Sequence, residues 1–102
     1  MNDRELLELS AKAAGFVRFD WLAGDRWMNV YHKDGKHEYW NPLECDGDAF
    51  MLLVATKPRV IEFLGGCVDV DDAREMLDGA NDATSFRRAI VRAAAEIGRN
   101  MK

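Results

Sequence analysis

The chain has few of the features that mark exported, membrane-spanning or metal-binding proteins. Its 102 residues include two cysteines and two prolines. Cys45 and Cys67 lack the spacing of a metal site, and residues 1–5 lack the basic start of a signal peptide. We therefore expect reduced thiols and a cytoplasmic location. The longest apolar run, residues 49–55, is too short to span a membrane, so no membrane contact is predicted.

Motifs for catalysis are absent as well. The sequence contains no Gly-rich phosphate loop, no metal-ligand cluster and no nucleophile motif. We therefore predict that the chain is not an enzyme and holds no cofactor. What is present is ordinary for a soluble globular protein, with 48% hydrophobic and 31% charged residues. The length fits a single domain spanning residues 1–102.

Charge is distributed unevenly along the chain. The net charge is −4, but residues 82–102 contain five Lys or Arg and two acids and so carry +3, which leaves −7 on residues 1–81. An acidic body disfavours DNA because phosphate contacts supply most nonspecific affinity, so only weak, salt-sensitive nucleic-acid binding is predicted. The acids of one region form either a partner surface or a merely solvated one: Asp69, Asp71, Asp72, Glu75 and Asp78.

Hydrophobic periodicity and turn residues predict three helices and five strands. The helices cover residues 3–14, 48–57 and 84–99. The strands cover residues 16–22, 27–33 and 36–40, with turns at 23–26 and 34–35, followed by a hairpin that turns at residues 65–66. The order α-β-β-β-α-β-β-α predicts an α+β domain. Its mostly antiparallel sheet of four to five strands would have helices on both faces, as an α/β/α sandwich.

The second hairpin has the clearest register. Its glycine turn predicts three cross-strand pairs: Ile61 with Val70, Glu62 with Asp69, and Phe63 with Val68. The acidic pair needs a nearby cation, for which Arg59, Arg74 or a C-terminal arginine is available, or a bound metal. Residues 71–81 are predicted to be an acidic connection with at most one helical turn.

The core is predicted from the same hairpin and the flanking helices. The helix at 48–57 is apolar nearly all round, which predicts burial on most of its sides. On the last helix, Arg92 and Glu96 are one turn apart and are predicted to form an ion pair. The residues predicted to share one core are Ile61, Phe63, Val68, Val70, Phe86, Ile90 and Ile97.

Two sequence motifs resemble those of a known family. Residues 40–43 (WNPL) followed by 46–49 (DGDA), together with residues 87–95 (RRAIVRAAA), are similar to the small bacteriophage and prophage proteins that carry the phage ABA sandwich domain. The order of elements is compatible along nearly the whole chain, and residues 65–85 match least. The resemblance implies a helix-sheet-helix sandwich and a phage or prophage origin, with no catalytic residues to carry over.

Two histidines form a second candidate metal site in the sequence. With Asp34 and Gly35 as a two-residue loop, His32 is predicted to lie opposite His37, at a spacing that lets two imidazoles share a metal. Two ligands make a weak site, and the alternative is a pair of exposed histidines at a hairpin end. The aromatic residues of the first three strands are predicted to pack in the core or to form a stacking platform for single-stranded nucleic acid: Trp21, Trp27, Tyr31, Tyr39 and Trp40.

Three classes of function remain open from the sequence. The favoured one is a non-enzymatic phage accessory protein of the bacterial cytoplasm that binds a protein of the host or the phage. The second is a nucleic-acid-associated or nucleic-acid-mimicking factor that modulates a host protein. The third is a small metal-dependent or nucleotide-handling enzyme, which the missing motifs disfavour. Homo-oligomer formation is compatible with all three.

Overall fold

The computed structural model describes residues 2–24 and 26–101, so Asp25 of the predicted turn at 23–26 lies outside the described residues. Three helices and six strands occur in the order α-β-β-β-α-β-β-β-α, one strand more than predicted. The helices are α1 (Asp3–Ala14), α2 (Asp46–Thr56) and α3 (Asp82–Arg99). The strands are β1 (Arg18–Trp21), β2 (Met28–Tyr31), β3 (His37–Trp40), β4 (Ile61–Leu64), β5 (Cys67–Val70) and β6 (Ala73–Met76).

The strands form two sheets rather than one. Strands β1, β2 and β3 make one three-stranded antiparallel sheet, and β4, β5 and β6 make another. The α+β class and the antiparallel pairing are therefore confirmed. The predicted number of four to five strands is roughly right, since six are present. The prediction that they form one sheet between helices is wrong, because each group of three strands pairs only with its neighbours in sequence.

The sixth strand replaces the first part of the predicted acidic connection. Val70 pairs with Ala73, so β5 turns into β6 through Asp71 and Asp72. Asp71 takes a left-handed φ of 51°, a conformation that Asp adopts more readily than most residues. The residues of β6 have low intrinsic strand propensity, and the pairing with β5 overrides it.

Helices α1 and α3 cross closely and dominate the interior. Helix α3 packs against α1, α2, β5 and β6. Gly98 is buried at the α1 crossing, where a Cβ atom would lie 1.9 Å from the carbonyl oxygen of Leu9. Both sheets contribute to the same core, whose fully buried members include Ala11, Met28, Val30, Val68, Val70, Val91, Ala94 and Ala95.

The predicted core is confirmed only in part. Val68, Val70 and Ile90 are buried, and Phe86 packs against the core with partial exposure. Ile61, Phe63 and Ile97 are exposed, so the prediction that they are buried is wrong. Strand β4 lies at the edge of its sheet, and the core therefore ends at β5 rather than at β4.

Candidate protein-binding surface

A buried asparagine positions the start of helix α2. The backbone N–H of Asn41 donates to Asp48 Oδ2 (2.9 Å), and its side-chain Oδ1 accepts from the Leu43 N–H (2.9 Å). The carboxylates of Asp46 and Asp48 lie in the first turn, where the helix dipole favours negative charge. Burial raises the pKa of the Asp48 carboxyl and outweighs the hydrogen bond from the Asn41 N–H, which lowers it.

The outer side of α2 is apolar. The helix buries only Ala49 and Leu52, so the prediction that it is buried on most sides is wrong. Phe50, Met51 and Val54 are 61%, 60% and 47% exposed. A helix on a protein surface normally carries charged or polar residues on its solvent side, and residues 49–55 of α2 include none.

Strand β4 carries a second group of exposed apolar residues. All four of its residues are exposed, and Phe63 is 62% exposed although its ring contacts the Phe86 ring at a centroid distance of 5.2 Å. Among the described residues, seven of the twelve large apolar side chains that are exposed fall between positions 50 and 64. We call these seven the apolar surface: Phe50, Met51, Val54, Val60, Ile61, Phe63 and Leu64.

The acids predicted to form a partner surface are largely engaged within the chain. Asp69 accepts two hydrogen bonds from the Arg74 guanidinium, at 2.7 and 2.9 Å. The Arg74 guanidinium lowers the pKa of the Asp69 carboxyl. Glu62 lies opposite Asp69 as predicted, and Arg74 is the cation that accompanies the pair.

The other predicted acids lie in the β5–β6 turn, in β6 and in the loop that precedes α3. Asp71 Oδ1 accepts the backbone N–H of Arg59 and of Val60, and Glu75 pairs with Arg92. Asp78 accepts backbone N–H groups of the same loop, chiefly that of Asn81, which lowers its pKa. Asp72 is exposed at the turn. These contacts give four of the five acids a structural partner, which weakens the field they present.

The Asp69–Arg74 pair predicts a measurable pH effect. We expect the Asp69 carboxyl to titrate below its ordinary pKa of about 3.9, and Arg74→Gln to raise its pKa towards that value. Because the folded pKa is lowered, the pair stabilises the fold above the unfolded pKa, and this contribution is lost as pH falls through the folded pKa. Carboxyl ¹³C shifts measured against pH test this. The Asp78 carboxyl is the internal control, and an equal shift at both sites would contradict the assignment.

The structure does not bring the two histidines together. The backbone N–H of His32 donates to the Lys36 carbonyl (2.8 Å), so the hairpin has a three-residue loop, residues 33–35. Gly35 occupies the last position of this loop with a φ of 90°. Tyr31, not His32, therefore lies opposite His37, and the predicted register is wrong by one residue. Because neighbouring residues of a strand point to opposite faces, the two imidazoles lie on opposite faces of the sheet.

Each imidazole has a separate partner. His32 Nε2 contacts Glu38 Oε2 at 2.8 Å, and His37 Nδ1 contacts Asn29 Oδ1 at 3.1 Å. Across residues 2–24 and 26–101, no group of three or more His, Cys, Asp or Glu side chains is placed to hold a metal ion.

The arginines of α3 are likewise engaged with acids. Arg87 Nη1 contacts Asp46 Oδ1 at 2.6 Å, and Arg88 Nη2 contacts Asp3 Oδ1 at 3.0 Å. Arg92 pairs with Glu75 instead of the predicted Glu96, because β6 brings Glu75 beside α3. A phosphate backbone would have to compete with these ion pairs for the same guanidinium groups.

The aromatic residues of the first sheet divide between the core and the surface. Trp40 is buried, and its ring contacts the Phe16 ring at 5.3 Å. Trp21 Nε1 donates to Glu8 at 2.7 Å, whereas Tyr39 is 66% exposed. The rings therefore do not form one continuous face on which bases could stack.

Open recesses accompany these features. A cleft of about 1110 Å³ runs beside α3, and charges of both signs line it, including Arg59, Asp72 and Arg92. A smaller recess of about 480 Å³ lies beside Phe16, Trp40 and α2, with His32 and Glu38 at its polar side. Its apolar lining includes Met51, so this recess adjoins the apolar surface.

Comparison with known proteins found no match from which a function could be assigned. The sequence and its fold match no family model, no curated protein and no solved structure. Within the described part of the chain, no helix combines the length and apolar character that crossing a bilayer requires. The apolar surface was missed from the sequence because periodicity cannot show which sides of an apolar helix find a partner. The absence of charge between Asp48 and Lys57 was the available signal.

Proposed function

We propose that this chain is a non-enzymatic protein that acts by binding another protein through its apolar surface. The observation that carries the proposal is the outer side of α2, where Phe50, Met51 and Val54 are each about half exposed or more. Contiguous apolar side chains on a soluble domain mark interaction sites, because their exposure to water is unfavourable until a partner covers them. Aromatic residues and Met are also enriched at protein interfaces.

The resemblance to small phage proteins extends this proposal to the setting. We place the chain as an accessory protein of a phage or prophage, with a partner from the host or the phage in the bacterial cytoplasm. A nucleic-acid role has less support, because the arginines of α3 and most of the acids near β6 already engage one another or nearby backbone groups. The partner is therefore expected to present an apolar surface rather than a phosphate backbone.

The proposal is tested by removing the apolar character of α2 without touching the core. We expect Phe50→Gln, Met51→Gln and Val54→Gln, combined, to change the free energy of unfolding by less than about 1 kcal/mol, since surface substitutions have small effects. The same variant should lose a partner that co-purifies with the wild-type protein from its source cells at fixed stoichiometry. Chemical denaturation and quantitative co-purification measure the two effects.

A matched control uses exposed apolar residues from other parts of the surface. Val17, Tyr39 and Met76 are 58%, 66% and 71% exposed, and their combined replacement by Gln should leave the partner bound. Equal retention of the partner by both triple variants, or equal loss, would refute a binding role for α2.

A further inference from the structure

The second sheet has one edge whose backbone groups are available to another strand. The order β4-β5-β6 makes β4 an edge, and the Asp71 N–H donates to the Val60 carbonyl at 2.8 Å. In an antiparallel ladder, alternate residues direct their N–H and C=O groups to the same neighbour. Val60 and Glu62 therefore bond towards β5, while Ile61 and Phe63 direct their backbone groups outward.

The opposite edge of this sheet is covered. Helix α3 packs against β6, and Arg92 Nη1 donates to the Arg74 carbonyl at 2.8 Å. At β4, no such side-chain donor reaches Ile61 or Phe63 from residues 2–24 or 26–101. Proteins usually blunt or cover an exposed edge because it pairs with other chains. Of the two edges of this sheet, the edge along β4 is therefore the open one among the described residues.

The side chains of β4 are sorted between its two faces. Ile61 and Phe63 lie opposite Val70 and Val68, which are fully buried, so they point to the core side of the sheet. Both nevertheless remain exposed, although the Phe86 ring contacts the Phe63 ring. Apolar residues on an added strand would lie beside Ile61 and Phe63 on the core side of the sheet and would reduce their exposure to water.

The other face carries an unbalanced charge. Glu62, Asp69 and Arg74 lie side by side across the three strands, and Arg74 forms its two hydrogen bonds with Asp69. Glu62 makes no hydrogen bond or ion pair with any residue that the structure describes, and it faces a like charge. A Lys or Arg on an added strand, opposite Glu62, would place a positive charge next to Glu62. The two acids of the row would then each have a basic neighbour, the added residue for Glu62 and Arg74 for Asp69.

The same charge disfavours a second copy of this chain as the occupant. If two copies paired antiparallel, with Ile61 of one bonded to Phe63 of the other, Glu62 of the first copy would lie directly opposite Glu62 of the second. Like charges in that position destabilise the pair. Charge complementarity therefore favours a different chain.

We propose that β4 binds an extended segment of a partner protein by strand addition, and that the segment alternates apolar, basic and apolar residues with the basic one opposite Glu62. This inference rests on the proposed function and adds the chemistry of the partner. Main-chain hydrogen bonds at Ile61 and Phe63 would supply affinity, and the side chains would set the register and the specificity.

Two short peptides and one charge-reversal variant test the proposal. The peptides have the sequences Thr-Val-Lys-Val-Thr and Thr-Val-Glu-Val-Thr, each with blocked termini and a fluorophore. We expect the wild-type protein to bind the Lys peptide at least about fivefold more tightly in anisotropy titrations at low salt. Glu62→Lys should reverse this preference, and Glu62→Gln should remove most of it. Hydrogen exchange at the Ile61 and Phe63 amides should slow when the Lys peptide binds.

Several outcomes would overturn the strand proposal. These are equal affinity for both peptides, a preference that Glu62→Lys does not reverse, and slowed exchange at other sites alone. A wild-type dimer by sedimentation, with the two β4 amides protected in it, would show that a second copy occupies the edge. If any of these occurs while the α2 triple variant still loses its partner, protein binding stands and only the strand proposal fails. Retention of the partner by that variant would overturn the proposed function instead.

Discussion

Gly98→Ala is expected to destabilise the protein by about 3 kcal/mol or more, because Gly98 is the glycine at which an added Cβ would meet backbone atoms most closely. The new Cβ would lie 1.9 Å from the Leu9 carbonyl oxygen and 2.8 Å from its carbonyl carbon, so α1 and α3 would have to separate. Inserting even well-tolerated methylenes into a packed core costs about 1–3 kcal/mol, and here the clash is with backbone. Thermal denaturation should show a midpoint lower by about 12 °C or more.

A second helical glycine provides the control for this experiment. At Gly47 in α2, the nearest atom to an added Cβ is Cys45 Sγ at 3.9 Å, an ordinary contact. Gly47→Ala should therefore raise stability by up to about 1 kcal/mol, because alanine has the higher helix propensity. If Gly98→Ala also raised the midpoint, the close α1–α3 crossing would be wrong.

Asn41→Asp is expected to lower the free energy of unfolding by about 3 kcal/mol, although it replaces only the amide nitrogen by an oxygen. The Asn41 amide Nδ2 donates to the Arg26 carbonyl (2.6 Å) and to Glu44 Oε2 (3.0 Å), and the residue is buried. In the variant, the oxygen that replaces Nδ2 would face both acceptors and have no donor, so the Leu43 N–H would be the one donor left to a buried charge. Burial and Glu44 would raise the pKa of the new carboxyl. The loss should therefore be full above that pKa and should shrink as pH falls through it.

The same substitution at the start of α1 provides the control. Asn2 only accepts a hydrogen bond there, from the Glu5 N–H at 2.9 Å, and Asp serves equally well at a helix N-cap. Asn2→Asp should change the free energy of unfolding by less than about 0.5 kcal/mol in urea denaturation at pH 7. Similar losses for both variants would mean that Asn41 does not organise the segment between β3 and α2.

The elements that could be predicted from sequence are those fixed by local signals. Helix α1 spans residues 3–14 as predicted, and Asn2 and Gly15 cap its two ends. The β4–β5 register is also confirmed, because Gly65 and Gly66 leave one way to pair the flanking residues. The β2–β3 register is wrong by one residue because Asp34 and Gly35 suit a three-residue loop as well as a two-residue one.

The remaining differences come from contacts between residues distant in sequence. Strand β6 forms from residues of low strand propensity because β5 offers a paired edge, and Arg92 then reaches Glu75 rather than Glu96. The apolar surface could not be predicted from the sequence for the same reason, because it depends on contacts between distant residues. An apolar sequence predicts that α2 needs a partner, but only the fold shows that α3 covers one side and leaves Phe50 and Met51 exposed.

Site-specific photo-crosslinking at position 50 tests the central claim most directly. A photoreactive phenylalanine analogue in place of Phe50 should form one discrete adduct with a partner protein in the source cells. The same analogue at Tyr39, which is similarly exposed, should form none, and Met51→Gln with Val54→Gln should abolish the adduct at position 50. No adduct at position 50, or the same adduct from both positions, would contradict binding through the apolar surface of α2.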